Sequence, residues 1–398
     1  MKTFDVVIIG AGLAGLQCAK LLSRRGAKIL LVDRKTDLTR GVHTTGIFVR
    51  KTLEDFDFPA GTLGNAVRHV TLYSPGLRAV DLESEKDEFR VGKMGALYES
   101  MLRECLASGV EFSNGTRYIS ANSAGSESSN FSSETGEVRT IVKLEKEGKA
   151  FEVGAKVLIG ADGAAARVAK DLGLDENEEW IVGYEEVYHA GNRAGEPRLH
   201  CFLDARLAPG YLAWIADDGE EIHIGVGGYA ANFNPREALK SFKEKTRKIF
   251  DLTGAKLAET RGGRIPVGGV LRRIASERGI LIGDAAGAVS PLTAGGLDPA
   301  LRLSRFAAQI VWERLQTNDP KVLLGYSGEL FRARFVSRLW MRRIIKTFTN
   351  QTLLNLGFMF LRGKLGRKFA RHVFFGRGSF PDVKVVQDAG NLSAKIVG

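Results

Sequence analysis

Glycine and aspartate recur in this chain at spacings that suit an extended anionic ligand. The first group is Gly10-Ala11-Gly12-Leu13-Ala14-Gly15, followed by Asp33. The second is Asp162-Gly163, and the third is Gly283-Asp284, followed by Gly295-Gly296. In the first group Gly10 permits a tight turn, Gly12 lets the backbone approach a pyrophosphate, and Gly15 lets a helix lie close on a strand. A helix starting there offers unpaired N–H groups and a partial positive charge to the phosphates. Asp33 can accept both hydroxyls of an adenosine ribose, which favours FAD or NAD over NADP.

The elements that must position these residues are legible too. Residues 4–9 are apolar and β-branched and read as a strand. Leu13, Leu16, Leu21 and Leu22 then fall near one helical face, Gly26 stops the run, and residues 27–32 form a second apolar strand ending on Asp33. Strand, GxGxxG, helix, strand and acid make up the full context of a dinucleotide fingerprint; a bare GxGxxG could be a glycine-rich turn in an unrelated α/β protein. Residues 153–160 return to strand before Asp162-Gly163, with a helix over 164–172. Residues 279–282 do the same before Gly283-Asp284. A helix then opens near Asp298-Pro299, with Asp as N-cap and Pro in the first turn.

Three further side chains could take part in chemistry. His43 lies in the polar loop after the second strand and could touch a flavin or a substrate, or be a loop histidine without a role. Tyr211 and Trp214 belong to a hairpin expected over 210–215 and 222–228, whose second strand is thinned by Gly225, Gly227 and Gly228. Thin strands admit a ligand or another backbone. The two aromatics could line a substrate, or simply pack on the sheet.

Composition bounds the rest. The chain has 398 residues, 44% of them hydrophobic, which is ample for a core and suggests two or so domains. Its three cysteines, Cys18, Cys105 and Cys201, show no metal-ligand or disulfide spacing, so a reducing, cytoplasmic setting and no metal are expected. No hydrolase or P-loop motif occurs. The net charge of +11 is concentrated at one end: residues 330–381 hold twelve Lys or Arg and no acid. Between the basic clusters lies the apolar run 353–361, too short to span a bilayer. Such a segment reads as a peripheral membrane-surface element or as C-terminal helices packed on the body. No nucleic-acid recognition motif accompanies the charge.

The three glycine–aspartate elements, in this order, resemble FAD proteins of the p-hydroxybenzoate-hydroxylase fold. Gly210-Tyr211 with Trp214-Ile215, Ile224-Gly225-Val226-Gly227, and Gly283-Asp284-Ala285-Ala286-Gly287 with Pro291-Leu292-Thr293 are similar to stretches of the geranylgeranyl reductase family within that fold. The resemblance implies FAD held by Gly10, Gly12, Leu13, Ala14, Gly15, Asp33, Arg34, Lys93, Asp162, Gly163, Gly283, Asp284, Gly295, Gly296 and Leu297. Asp33 would hold the ribose, Asp162 the pyrophosphate region and Asp284 the ribitol. Gly295 and Gly296 would face the N1/O2 edge of the isoalloxazine, where reduced flavin is negative. The family's PxTGEG loop reads Pro291-Leu292-Thr293-Ala294-Gly295-Gly296 here. A cysteine–glycine motif common after the second strand is replaced by Val42-His43-Thr44-Thr45-Gly46, and an arginine at the start of the next helix by Lys93.

The expected fold is α/β. A Rossmann-like FAD-binding domain over 1–65, 93–175 and 266–318 is interleaved with a mixed-sheet substrate domain over 66–92 and 176–265. A basic helical region follows over 319–398. The expected activity is reduction of carbon–carbon double bonds in an apolar or lipid-like isoprenoid substrate by hydride from reduced FAD. The external donor would be NAD(P)H or a reduced electron-carrier protein. The rival on the same scaffold is an FAD monooxygenase that hydroxylates or epoxidises. A flavin halogenase and a non-catalytic flavin or lipid carrier fit the residues less well.

Overall fold

The computed structural model describes residues 1–123, 140–190, 195–231, 233–347 and 350–376. Five parallel strands form its centre, in the order Gly279–Leu281, Lys149–Gly160, Lys2–Ile9, Ile29–Val32 and Glu111–Ser113. Both faces of such a sheet are covered, so its strands read as continuous apolar runs. Val6, Val7 and Ile8 are accordingly 0% exposed. Burying one side chain of this size contributes about 1.5–3 kcal/mol. Leu13–Ser23 packs against Met94–Ala107 and Leu297–Thr317. Thr116–Ser123 and Thr140–Lys146 extend the sheet as antiparallel strands. Most of the Ser- and Gly-rich stretch between them lies outside the described residues.

A second sheet of seven strands runs Lys256–Pro266, Trp180–His189, Glu221–Gly228, Ala213–Asp217, Arg198–Phe202, His69–Tyr73 and Ala79–Glu83. Residues 66–92, expected wholly in this sheet, are divided. Leu63–Val67 and Phe89–Gly92 instead join Ile47–Val49 in a three-stranded sheet of their own. Alternation marks a strand but not its partner, which is why the sequence pattern merged them.

Other boundaries moved for local reasons. The first strand of the aromatic hairpin starts at Ala213, because residues 208–211 form a turn closed by Tyr211 N–H to Ala208 O at 3.1 Å. The helix after Asp162 starts at Arg167. Asp298 is not an N-cap: the last long helix of the nucleotide half begins at Leu297 with Gly296 in the cap position and no side-chain cap. The Asp298 carboxylate instead accepts from Thr52 Oγ1 and Arg302 Nε, both at 2.8 Å. An unforeseen helix, Pro235–Thr246, buries Leu239 and Phe242 on the seven-stranded sheet. Its signal was present in the sequence: Asn234 caps it, accepting from the N–H of Arg236 and Glu237, and Pro235 opens it.

The basic tail forms Val336–Thr347, Gln351–Arg362 and Lys364–Phe375. Phe358 and Ala370 are buried against Val70, Leu72 and Val80 of the seven-stranded sheet, so these helices do pack on the body. They also leave Trp340, Ile344, Leu356, Phe360, Leu365 and Phe369 exposed. Arg377 and the residues after it lie outside the description. Among the described residues no helix is long and apolar enough to cross a membrane.

Candidate functional site

Strand register brings the glycine–aspartate elements together. Ile9 is aligned with Val32 on one side and Gly160 on the other, and Gly160 with Leu281. All four strands therefore end level, and Gly10, Asp33, Asp162 and Gly283 emerge at one edge. Ligands of open α/β sheets bind at this carboxyl edge.

Gly10 has φ +107°, and a Cβ on it would stand 2.2 Å from Ala161 O, so the first and second elements interlock at backbone distance. A Cβ on Gly15 would stand 1.9 Å from Gly10 O. A Cβ on Gly12 would meet nothing within 4 Å, which leaves open space in front of the helix N-terminus. That helix has no capping side chain and no acid in its first turn, as an anion site requires.

Asp33 accepts from Ala11 N–H at 2.7 Å and Lys35 N–H at 2.8 Å, which fixes its carboxylate while leaving lone pairs free for hydroxyls. Asp162 takes the N–H of Arg167 and Val168 with one oxygen, at 2.7 and 3.3 Å. Its other oxygen is buried with no hydrogen-bond partner among the described residues. Burial raises the Asp162 carboxyl above its ordinary range, against those two N–H groups. Asp284 is raised by burial to about 6, and its Oδ1 lies against Gly296, 3.2 Å from where a Cβ would be. Asn177 ties the elements together, donating to Ala164 O and to Asp284 O at 3.1 and 2.9 Å.

The loop after the second strand is latched to the seven-stranded sheet by three contacts. His43 Nδ1 is 2.9 Å from Gly262 O; a carbonyl only accepts, so this nitrogen carries the proton. Arg261 Nη1 donates to Thr44 O at 2.7 Å. Thr45 Oγ1 donates to Glu185 Oε2 at 2.5 Å. Glu185 also accepts from Trp214 Nε1 at 3.3 Å, and lies 3.6 Å from His223 Nδ1 and 3.5 Å from Arg261 Nη1. Burial would raise the Glu185 carboxyl, but His223, Thr45 and Arg261 together lower it. Burial would likewise lower His223, yet Glu185 and Glu221 raise it to about 9. A charged imidazole and a charged carboxylate are thus enclosed beside the loop. Burial and the Lys35 ammonium lower His43, despite its bond to Gly262, so it is mostly neutral at pH 7.

Tyr211 and Trp214 occupy the space that the thinned strand leaves. A Cβ on Gly225 would be 2.2 Å from the Trp214 indole, and one on Gly227 would be 2.7 Å from the Tyr211 ring. Close packing therefore accounts for both glycines. Both residues are partly buried. Tyr211 donates its hydroxyl proton to Thr293 O at 2.7 Å, joining the aromatic wall to the Pro291–Gly296 loop. Within that loop Ala294 holds φ +52°, a conformation in which glycine is at home. Lys93 pairs with Glu220 at 2.7 Å, and Arg34 is exposed beside Asp33.

Residues 3–342 match the FAD binding domain family. The chain belongs to that family. A digeranylgeranylglycerophospholipid reductase of Methanosarcina acetivorans is 27% identical over 344 residues, covering 83% of this chain and 80% of the relative. A geranylgeranyl bacteriochlorophyll reductase-like protein of Thermoplasma acidophilum superposes with a TM-score of 0.79 at 19% identity, covering 98% of this chain and all of that one. A p-nitrophenol 4-monooxygenase of Pseudomonas putida shares the fold at a TM-score of 0.62 and 15% identity, covering 100% of this chain and 98% of its own. This FAD-binding chain is a flavin-dependent oxidoreductase that resembles geranylgeranyl reductases.

The residues at the site fit FAD. An uncapped helix N-terminus and open space at Gly12 suit a pyrophosphate, and the orphaned Asp162 oxygen and the carboxylate against Gly296 would accept from ligand hydroxyls. Sequence reading missed Asn177, Glu185, His223 and Arg261. His223 had one available signal, as the titratable residue within the otherwise apolar run 222–228; Glu185 had none, because Glu186 stands next to it in its strand.

Proposed function

We propose that this flavoenzyme reduces carbon–carbon double bonds of an apolar isoprenoid lipid. The observation that carries the proposal is the hydrogen bond that joins the Tyr211–Trp214 pair to the glycine-rich loop beside Asp284, and the named activity of the methanogen relative supports it. When bound and reduced, FAD supplies a hydride. Gly12, Leu13 and Ala14, with Asp162 and Gly163, would hold the pyrophosphate region. Asp33, with Arg34 next to it in the chain, would hold the ribose, and Asp284 the ribitol. Gly295, Gly296 and Leu297 would hold the flavin edge. The latch on Thr44 and Thr45 holds the loop against the sheet and closes that side to water. Tyr211 has its proton committed to Thr293 O, and neutral His43 has its proton committed to Gly262 O, so neither is poised as a donor. NAD(P)H or a reduced carrier protein supplies the electrons.

The test is to reduce the flavin-loaded protein without oxygen and mix it with an unsaturated isoprenoid lipid. The oxidised-flavin spectrum should return, with a product two hydrogens heavier. No return with lipid, together with an oxygenated product once air is admitted, would replace the reductase by the monooxygenase.

We also propose that the tail rests on a membrane surface. Trp340, Leu356, Phe360 and Phe369 are exposed apolar groups on helices that carry Arg343, Lys364, Arg367 and Lys368 and no acid. Apolar area and cationic attraction add at an anionic interface. The protein should sediment with anionic vesicles at low salt, and a Trp340→Ser, Phe360→Ser double variant should lose most of that binding. Wild type that stays in the supernatant would refute membrane contact.

A further inference from the structure

The helix Val336–Thr347 lies the opposite way round from an ordinary surface helix. Val336, Trp340 and Ile344, one turn apart, are 49, 59 and 51% exposed. Arg342 is only 3% exposed, and Arg338 is half-buried. The apolar stripe faces out, and Arg338 and Arg342 face in, toward the Pro291–Gly296 loop, while Arg343 is exposed. Leu339 packs near Pro291 beside Gly269, and Arg338 Nη1 donates to Ser290 Oγ at 3.3 Å.

Arg342 lies over two aromatic rings, with its guanidinium carbon 4.9 Å from the centre of Tyr229 and 5.6 Å from that of Tyr211. Its Nε donates to Tyr229 Oη at 3.1 Å. Its Nη1 and Nη2 are buried and have no hydrogen-bond partner among the described residues. The neighbouring carboxylates are engaged elsewhere. Glu179 accepts from Tyr229 and from Lys346, at 2.6 and 3.2 Å, and Asp298 accepts from Thr52 and Arg302. Arg342 and Lys346 therefore share Glu179 while Arg338 has Asp298 near it, and the two Nη ends of Arg342 beside Tyr211 are left without an anion among the described residues. A buried guanidinium with two free N–H ends is costly unless an anion completes it, and its fork matches a phosphate.

We propose that Arg342, supported by Arg338, binds the phosphate ester headgroup of an isoprenoid lipid whose chain passes Tyr211 and Trp214 toward the flavin. The apolar stripe on the outer face of the same helix favours a lipid source over free phosphate. The proposal rests on the lipid-reductase reading and supplies that substrate's polar end.

The experiment measures equilibrium binding to the flavin-loaded protein, so it reads the headgroup site whether or not turnover occurs. The probes are geranylgeranyl monophosphate, geranylgeraniol and inorganic phosphate. Wild type should bind the monophosphate about 10- to 100-fold tighter than the alcohol, the effect expected of hydrogen bonds to a charged group. Arg342→Gln should erase that preference while leaving flavin content and the affinity for the alcohol unchanged. Arg342→Lys should keep part of it, and Arg338→Gln should weaken it. If Arg342→Gln does not fold, a wild-type preference insensitive to Arg338→Gln overturns the proposal. Equal wild-type affinity for alcohol and monophosphate also overturns it, and inorganic phosphate binding as tightly as the monophosphate overturns the lipid assignment. Bound probes that are not reduced would count against the reductase reading alone.

Discussion

Gly10→Ala should yield a protein that unfolds more readily and retains no flavin, while Gly12→Ala should fold normally and still bind flavin poorly. The two glycines are two residues apart and differ in what surrounds them. At Gly10 a methyl group would collide with Ala161 O at 2.2 Å, on a backbone held at φ +107°. Left-handed strain on a non-glycine residue costs about 1–3 kcal/mol, and forcing atoms into a packed site costs about as much again. The colliding atom is backbone of the second glycine–aspartate element, so relief would move Asp162 as well. At Gly12 φ is −75° and no atom lies within 4 Å, so the fold tolerates a methyl group that then intrudes where the pyrophosphate must come. Denaturation midpoints of the flavin-free proteins, set beside flavin per chain, separate the effects; the flavin-free form is needed because a bound ligand stabilises by itself. Wild-type flavin affinity in Gly12→Ala would remove the pyrophosphate from that space.

The contrast explains how much of this protein could be read in advance. The fingerprint from Phe4 to Asp33 is local: strand, turn, helix and acid all lie within one short run, and each residue type is dictated by its neighbours. The convergence of Asp162 and Asp284 on it was legible because each follows an apolar strand, and parallel strands put their carboxyl ends on one edge. The latch was not legible. Thr45 meets Glu185 across 140 residues of chain, and Arg261 reaches Thr44 across 217. No period or spacing encodes such a pairing. The tail shows a different failure. Helical periodicity separates an apolar stripe from a basic one, but it does not say which faces inward. The default puts Arg outside; here the nearby Tyr211 and Tyr229 faces draw Arg342 in, and Trp340 is left outside.

Stability should fall as pH rises from about 6.5 toward 9, and Glu185→Gln should flatten that fall. His223 is wholly buried, with Glu185 and Glu221 facing it on one side of the charge balance and Arg261 on the other; the Asp218 carboxyl, itself raised by burial, is also near. Its folded-state value is raised from 6.5 to about 9. A raised value means the charged form is favoured by folding. The contribution is complete below 6.5, where the unfolded imidazole is also charged, and is lost as pH climbs through 9. A shift of that size corresponds to about 3 kcal/mol at most. Glu185 works in the opposite sense: its lowered carboxyl stabilises above its ordinary 4.5 and loses that contribution as pH falls. The pair therefore places the optimum between those two ordinary values. Replacing Glu185 by glutamine keeps the shape and an acceptor for Thr45 but leaves His223 with only Glu221, which is partly exposed, against Arg261. Removing one partner of a buried pair costs about 3–5 kcal/mol. In the variant His223 should titrate well below 9, as followed by the imidazole proton resonance, and the unfolding midpoint should drop most in the acid half of the range. His223 titrating near 6.5 in wild type would mean that burial and Arg261 offset both glutamates, and the latch would then hold Thr45 through a carboxylate balanced by Arg261 alone.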